Sequence, residues 1–155
     1  MRVRVIAVGT RMPAWVRSAC SEYLQRLRGG LPLELVEIAT ASRRAGGAPR
    51  ALAREGEQLL AALGPSEYVI ALDERGRELT TQEVARWLGT RMQQGEDLAF
   101  VIGGPDGLAP AVLARSNYRL ALSRLTLPHA LARVLLVEQL YRAHCILANH
   151  PYHRD

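Results

Sequence analysis

The chain has 155 residues, 48% of them apolar, with a net charge of +5 and no low-complexity segment. That is enough chain to bury a real core as one domain, and it excludes disorder as the organising principle. The apolar patch at residues 5–9 is too short for a signal peptide and has no cleavage pattern behind it. The apolar run near the end is interrupted by Glu138 and Arg142, so no membrane span is expected and a cytoplasmic protein is.

Residues 2–10, RVRVIAVGT, read as the first strand. PAWVRSACSEYLQRL follows with helical periodicity, and Pro13 suits the first helical position. LELVEIAT (33–40) is the second strand. TASRRAGGAP (40–49) is a loop rich in Gly, Ala and Arg, either a solvated connection or a basic flap that touches phosphate. In RALAREGEQLLAAL, Leu52, Leu59, Leu60 and Leu63 fall on one side of a helix. YVIALDE (68–74) is the third strand. TTQEVARWLGTRMQQG is a helix opened by Thr80 or Thr81 with Glu83 just behind and closed at Gly95. LAFVIGG (98–104) and YRLALSRLTL (118–127) are the fourth and fifth strands. The last and longest helix, HALARVLLVEQLYRAHCILA, carries a favourable i,i+4 pair, Glu138 and Arg142. Its apolar face around Leu135, Leu136 and Leu140 is a candidate contact with a second chain, or simply core. Strands alternating with helices predict an α/β fold, a mostly parallel sheet with helices on both faces, in a single domain over residues 1–155.

In a parallel sheet, ligands bind beyond the carboxyl ends of the strands. Three strand ends here hold informative residues: LDERG, IGGPDGL and LSRLTLPHA. The glycines of IGGPDGL suit close backbone approach, but the spacing is neither that of a dinucleotide fingerprint nor that of a Walker A loop, which needs a Lys. All twenty basic residues are Arg. The guanidinium fork suits phosphate and bases, although a coding bias toward Arg accounts for the missing Lys as simply. Cys20 and Cys145 fall in amphipathic runs and read as buried free thiols. All four histidines lie in the final 27 residues, yet Pro151 separates His150 from His153, so no metal site is expected. With no nucleophile elbow and no paired carboxylates, a reaction that positions two substrates fits better than covalent catalysis. The terminal NHPYHRD spends two histidines, a tyrosine and an arginine where a frayed end needs none.

VIAVGTRMPAWV, EGEQLL, LDERG, VIGGPDGL, LSRLTLPHALARVLLVEQLYRA and NHPYHR occur in this order over the whole chain. Together they closely resemble the ribosomal RNA large subunit methyltransferase H family, small SPOUT-class enzymes that methylate N3 of a pseudouridine in 23S rRNA. The resemblance implies a C-terminal trefoil knot, a homodimer and an S-adenosylmethionine site. By motif, the cofactor contacts fall on Leu72, Gly103, Leu122, Ser123, Arg124, Leu125, Thr126 and Leu127. It implies 23S rRNA within the ribosome as partner, no metal, and a tail that reaches the target nucleotide across the dimer interface. Asp106 and Arg124 depart modestly from the family pattern.

N3 of pseudouridine must lose its proton before it attacks. A cationic Arg stabilises the developing charge, for which Arg142 and Arg154 are candidates. A neutral His can take the proton, which points to His129 and His153, and Tyr152 can stack on the base or donate a hydrogen bond. A non-catalytic ribosome-binding module, and an α/β enzyme that uses S-adenosylmethionine or a nucleotide on another substrate, are the competing readings.

Overall fold

A computed structural model describes residues 1–44 and 46–154; Ala45 of the 40–49 loop and the terminal Asp155 lie outside the described residues. Along β1 (Val3–Val8), Val3, Val5 and Ala7 face one apolar layer while Ile6 and Val8 face another, the period-two alternation of a strand covered on both sides. β4 (Leu98–Ile102) does the same with Leu98, Phe100 and Ile102 against Ala99 and Val101, and all five of its residues are buried. With β2 (Leu33–Ile38), β3 (Tyr68–Glu78) and β5 (Tyr118–Ala121) they form one five-stranded sheet of order β2-β1-β4-β3-β5, in which every pairing is parallel.

Between the strands run α1 (Ala14–Arg26), α2 (Gly47–Ala62), α3 (Thr81–Gln94), the short α4 (Pro110–Arg115) and α5 (His129–Leu147). Leu59 of α2 and Val112 of α4 close one face of the sheet. Ala85 and Leu88 of α3 and Leu136 and Leu140 of α5 close the other. α5 lies between α1 and α3 and is buried around most of its circumference, which is why its apolar residues do not form one stripe. Leu136 and Leu140 are therefore core, not a surface for a second chain; Leu135 lines a cavity beside them.

α3 starts with the expected capping box: Thr80 Oγ1 accepts from Glu83 N–H at 3.1 Å, and Thr80 N–H donates back to Glu83 at 2.7 Å. Gly95 ends it in the left-handed region. Several boundaries differ from expectation. Pro13 is the residue before α1 rather than its first. α2 begins at Gly47, so the loop before it is shorter than 40–49. The fifth strand stops at Ala121 instead of 127: β5 is an edge strand, and Ser123 Oγ accepts the Leu125 N–H at 2.9 Å, a local turn that competes with the ladder. Conversely β3 runs on to Glu78, because Leu120 pairs with both Leu72 and Arg77 and residues 73–76 stand off the sheet between them. A Cβ on Gly76 would lie 2.7 Å from the Arg119 carbonyl carbon, so only glycine lets this loop close against β5.

Candidate active site

The sheet order makes neighbours of the three motif-bearing strand ends. Ala71 pairs with Val101 and Leu72 with Leu120, so β4, β3 and β5 finish side by side. Leu72, Gly103 and the run from Leu122 to Leu127 thus lie along one stretch of the carboxyl edge. Thr126 Oγ1 donates to Glu74 at 3.3 Å, which holds the 122–128 segment against the standing loop of β3. Arg124 and Leu125 are open to solvent, with 87% and 74% exposure. Among the described residues, the backbone of 123–127 makes no hydrogen bond to other backbone; the Leu125 N–H is taken by Ser123 Oγ, and the other N–H and C=O groups of the run are open to a ligand. A cavity of about 230 Å³ opens beside Leu122, lined by apolar side chains of α3, β5 and α5 and by Gln139.

Gly103 serves its own turn first. A Cβ there would overlap the Gly107 carbonyl and come within 2.9 Å of Leu108 N, while Gly104 and Gly107 bridge and Gly107 has φ +78°. Gly103→Val should open the 103–108 turn. If the turn borders the S-adenosylmethionine site that the resemblance implies, calorimetry should show that binding lost, with a stability loss on the order of 2 kcal/mol. Unchanged affinity would separate this turn from the cofactor site.

The turn is also held from outside. Glu55 of α2 is only 1% exposed, accepts from Ala41 N–H at 3.0 Å, and is ion-paired with Arg43. Arg43 reaches on to Asp106 of the glycine turn at 3.0 Å. The basic 40–44 segment is thus a strap whose Arg43 is spent on two carboxylates.

At the other end, α5 terminates in a Schellman motif. His150 N–H donates to Cys145 O at 2.8 Å and Asn149 N–H to Ile146 O at 3.2 Å, with Asn149 at φ 55°. This stop, followed by Pro151, folds the tail back along the helix. Tyr152 packs edge-on against Tyr141, ring centres 4.6 Å apart, and donates to Glu138 at 3.1 Å. Burial, helped by hydrogen bonding with Tyr23 and by Glu138, pushes its phenol well above the usual range, so it stays a donor. Arg142 gives two hydrogen bonds to Glu138, at 2.9 and 2.7 Å, a pairing that raises its basicity further. Its remaining donor faces His153 Nδ1 at 3.3 Å. A guanidinium only donates, so Nδ1 is the acceptor and any proton sits on Nε2. Arg154 is exposed and, among the described residues, has no ion-pair partner.

His129 stands at the opposite end of α5. Thirteen helical positions separate it from Arg142, roughly 20 Å along the axis. Its Nδ1 is buried without a partner, and burial together with the Arg133 cation lowers its pKa, leaving a neutral ring at pH 7. Nearby Arg133, 1% exposed, donates to Glu37 at 2.6 Å and to Gly9 O at 3.0 Å. Within one chain the five candidates therefore form two groups: Arg142, Tyr152 and His153 with Arg154 following, and His129 apart.

Glu138 was legible only as a helix pair, not as the hub that also holds Tyr152. Arg133, Glu55 and Arg43 were missed. The first two carried a readable signal: Glu55 sits four residues from Ala51 and Leu59, and Arg133 three and four from Leu136 and Val137, charges placed on apolar faces. Arg43 in a loop carried none.

The all-parallel sheet with three adjacent motif-bearing strand ends is an α/β fold with a candidate ligand edge, and its last helix carries a cluster of polar side chains. A family described as "Predicted SPOUT methyltransferase" matches residues 1–153. The chain is 54% identical over 155 residues to "Ribosomal RNA large subunit methyltransferase H" of Alkalilimnicola ehrlichii, covering 99% of both, and 50% identical to the protein of the same name from Thiobacillus denitrificans, covering 100% of both. Among solved structures, a "Probable Methyltransferase" from Bordetella pertussis superposes with a TM-score of 0.60 at 20% identity, over 92% of this chain and 95% of that one, a likeness of fold. The chain belongs to the SPOUT methyltransferases, in the ribosomal RNA large subunit methyltransferase H family, and is a methyltransferase.

Proposed function

We propose that this enzyme transfers a methyl group from S-adenosylmethionine to N3 of a pseudouridine in 23S rRNA, acting as one domain in a homodimer. The observation that carries the reading is the adjacency of Leu72, Gly103 and Leu122–Leu127 at the carboxyl edge. The backbone groups of 123–127 other than the Leu125 N–H suit an adenine edge, and the exposed Leu125 offers it an apolar cover. S-adenosylmethionine would supply an already electrophilic methyl carbon, so the protein need only bind, orient and manage one proton. Leu72, Gly103 and Leu122–Leu127 would hold the cofactor. Among the described residues no three His, Cys, Asp or Glu side chains form a metal-ligating group, and no helix is long and apolar enough to cross a membrane. The contact of Thr126 with the standing loop of β3 supports a chain threaded close to that loop, as the trefoil knot requires.

In this mechanism Arg154, with no carboxylate partner among the described residues, is the charge stabiliser, while Arg142 is a positioning residue held by Glu138. Glu138 orients the tail by holding both Tyr152 and Arg142. His129 lies on the strand-end side, beside the proposed cofactor edge, and is our candidate proton acceptor, while His153 Nδ1 faces the Arg142 guanidinium. The separation of His129 from the tail supports completion of the site by a second copy. Mixed dimers of a chain defective in Gly103 with one defective in Arg154 should therefore recover activity, since one of the two sites would be intact. Absence of any recovery in co-expressed, tag-selected mixed dimers would refute the shared site.

Mass mapping of rRNA from cells lacking the gene tests the function itself. A pseudouridine that loses its methyl group, and regains it on incubation with purified protein and S-adenosylmethionine, is the expected result. Unaltered rRNA in those cells, or transfer to small molecules instead, would overturn it.

A further inference from the structure

Beyond the tail and the cofactor edge, the chain has a cleft of about 370 Å³ between the segment that follows β2 and the first turns of α2. Its lining combines the small side chains of Ala39, Ala41 and Ala51 with Arg50, Arg54 and Ser42. Arg50 and Arg54 are one helical turn apart and so share a face. Both are exposed, and neither is ion-paired among the described residues. This contrasts with Arg43 a few residues earlier, whose cation is consumed by Glu55 and Asp106. At the position four residues after Arg54, where a Glu would pair with it, stands the neutral Gln58, which also lines the cleft. Ser42 Oγ accepts from Arg44 N–H at 3.2 Å, leaving its own proton to point elsewhere.

The cleft is also in the right place. Residues 39–44 leave the carboxyl end of β2, the same edge of the parallel sheet as the cofactor strand ends. The Arg43–Asp106 contact fastens this segment directly to the glycine turn. An anion held by Arg50 and Arg54 would therefore lie beside the reacting edge.

We infer that this cleft is a phosphate-binding subsite for the RNA strand flanking the target nucleotide, which rests on the rRNA reading above. Guanidinium forks match phosphate oxygens in geometry as well as charge. A hydroxyl donor suits a phosphate oxygen or a ribose 2′-hydroxyl, and the small alanine side chains of the lining leave room for the sugar. The contacts are to backbone, so the subsite contributes affinity and register, and the tail and cofactor edge select the base.

The test is the double variant Arg50→Gln/Arg54→Gln, at exposed positions whose loss leaves no buried group unpaired. Ribosomes from cells lacking the gene are the substrate, and wild-type transfer to them is established first. The variant should raise KM for ribosomes roughly tenfold with kcat nearly unchanged, and flatten the dependence of log affinity on log salt by about 1 to 2. Its affinity for S-adenosylmethionine should equal that of the wild type, and Arg50→Lys/Arg54→Lys should recover much of the lost affinity. Wild-type KM and salt dependence in the Gln variant would overturn the subsite while leaving the rRNA reading standing. A weakened S-adenosylmethionine affinity would instead assign the cleft to the cofactor pocket and overturn it equally. A wild-type enzyme inactive on every ribosomal particle would remove the rRNA reading, and this subsite with it.

Discussion

Arg133→Ala should unfold at a markedly lower temperature than the parent protein. Arg133 is buried under the carboxyl end of β1, where it neutralises Glu37 and satisfies the carbonyls of Val8 and Gly9. Truncation removes a large, fully packed side chain and leaves these acceptors without their donor. Glu37 keeps 36% of its side chain exposed and regains water, which moderates the penalty. A loss of about 3 kcal/mol, at the lower end for breaking a buried pair, corresponds to roughly 6–12 °C in Tm for a chain of this size. Arg133→Met, which restores volume without charge, should recover part of it. The consequence reaches the site, because Arg133 lies one turn into the helix that the 122–128 segment enters. S-adenosylmethionine affinity in Arg133→Ala should fall even below the melting temperature. A denaturation midpoint equal to wild type would show that this pair is not what ties α5 to β1.

Arg154→Ala should reduce methyl transfer to ribosomes by on the order of a hundredfold, if its guanidinium stabilises charge that develops on the pyrimidine ring. Arg154 is exposed, so its loss should leave Tm and cofactor affinity unchanged. Arg154→Lys should recover only part of the rate, since an ammonium lacks the planar fork. Removing residues 152–155 should be worse in a second way. Tyr152 packs against Tyr141 and bonds Glu138, so truncation also strips an anchor from the core and releases Arg142 from its neighbours, at about 1–2 kcal/mol of stability. Single-turnover assays at saturating S-adenosylmethionine separate the two effects. A wild-type rate in Arg154→Ala would mean that the tail braces α5 and takes no part in the reaction.

The tail shows where reading residues in order succeeds and where it stops. Two histidines, a tyrosine and an arginine around Pro151 signalled a segment with a fixed place, and the Schellman stop at Asn149 is what fixes it. The order of residues did not say what the tail would touch. Tyr152, a candidate for stacking on a base, is spent within its own chain on Tyr141 and Glu138, and Arg142 is neutralised by Glu138. The five-strand α/β alternation, the capping box of α3 and the three motif-bearing strand ends were all legible. The end of β5 was not, because an apolar run at a sheet edge looks like a buried strand until the missing neighbour is known.

What the amino-acid sequence determined by itself was whatever depends on groups within about four residues of one another: strand periodicity, helix caps, the glycine turn and the Glu138–Arg142 pair. These are settled by backbone sterics and local hydrogen bonds, which the chain carries wherever it goes. Only the tertiary structure decided the order β2-β1-β4-β3-β5 that brings three separate strand ends together. It also decided that Arg43 would find Asp106 across 63 positions and Arg133 would find Glu37 across 96. Such partners are chosen by how both faces of the sheet are covered at once. A buried cation must end beside whichever carboxylate and carbonyls the packing leaves within reach, and no local pattern encodes which those are.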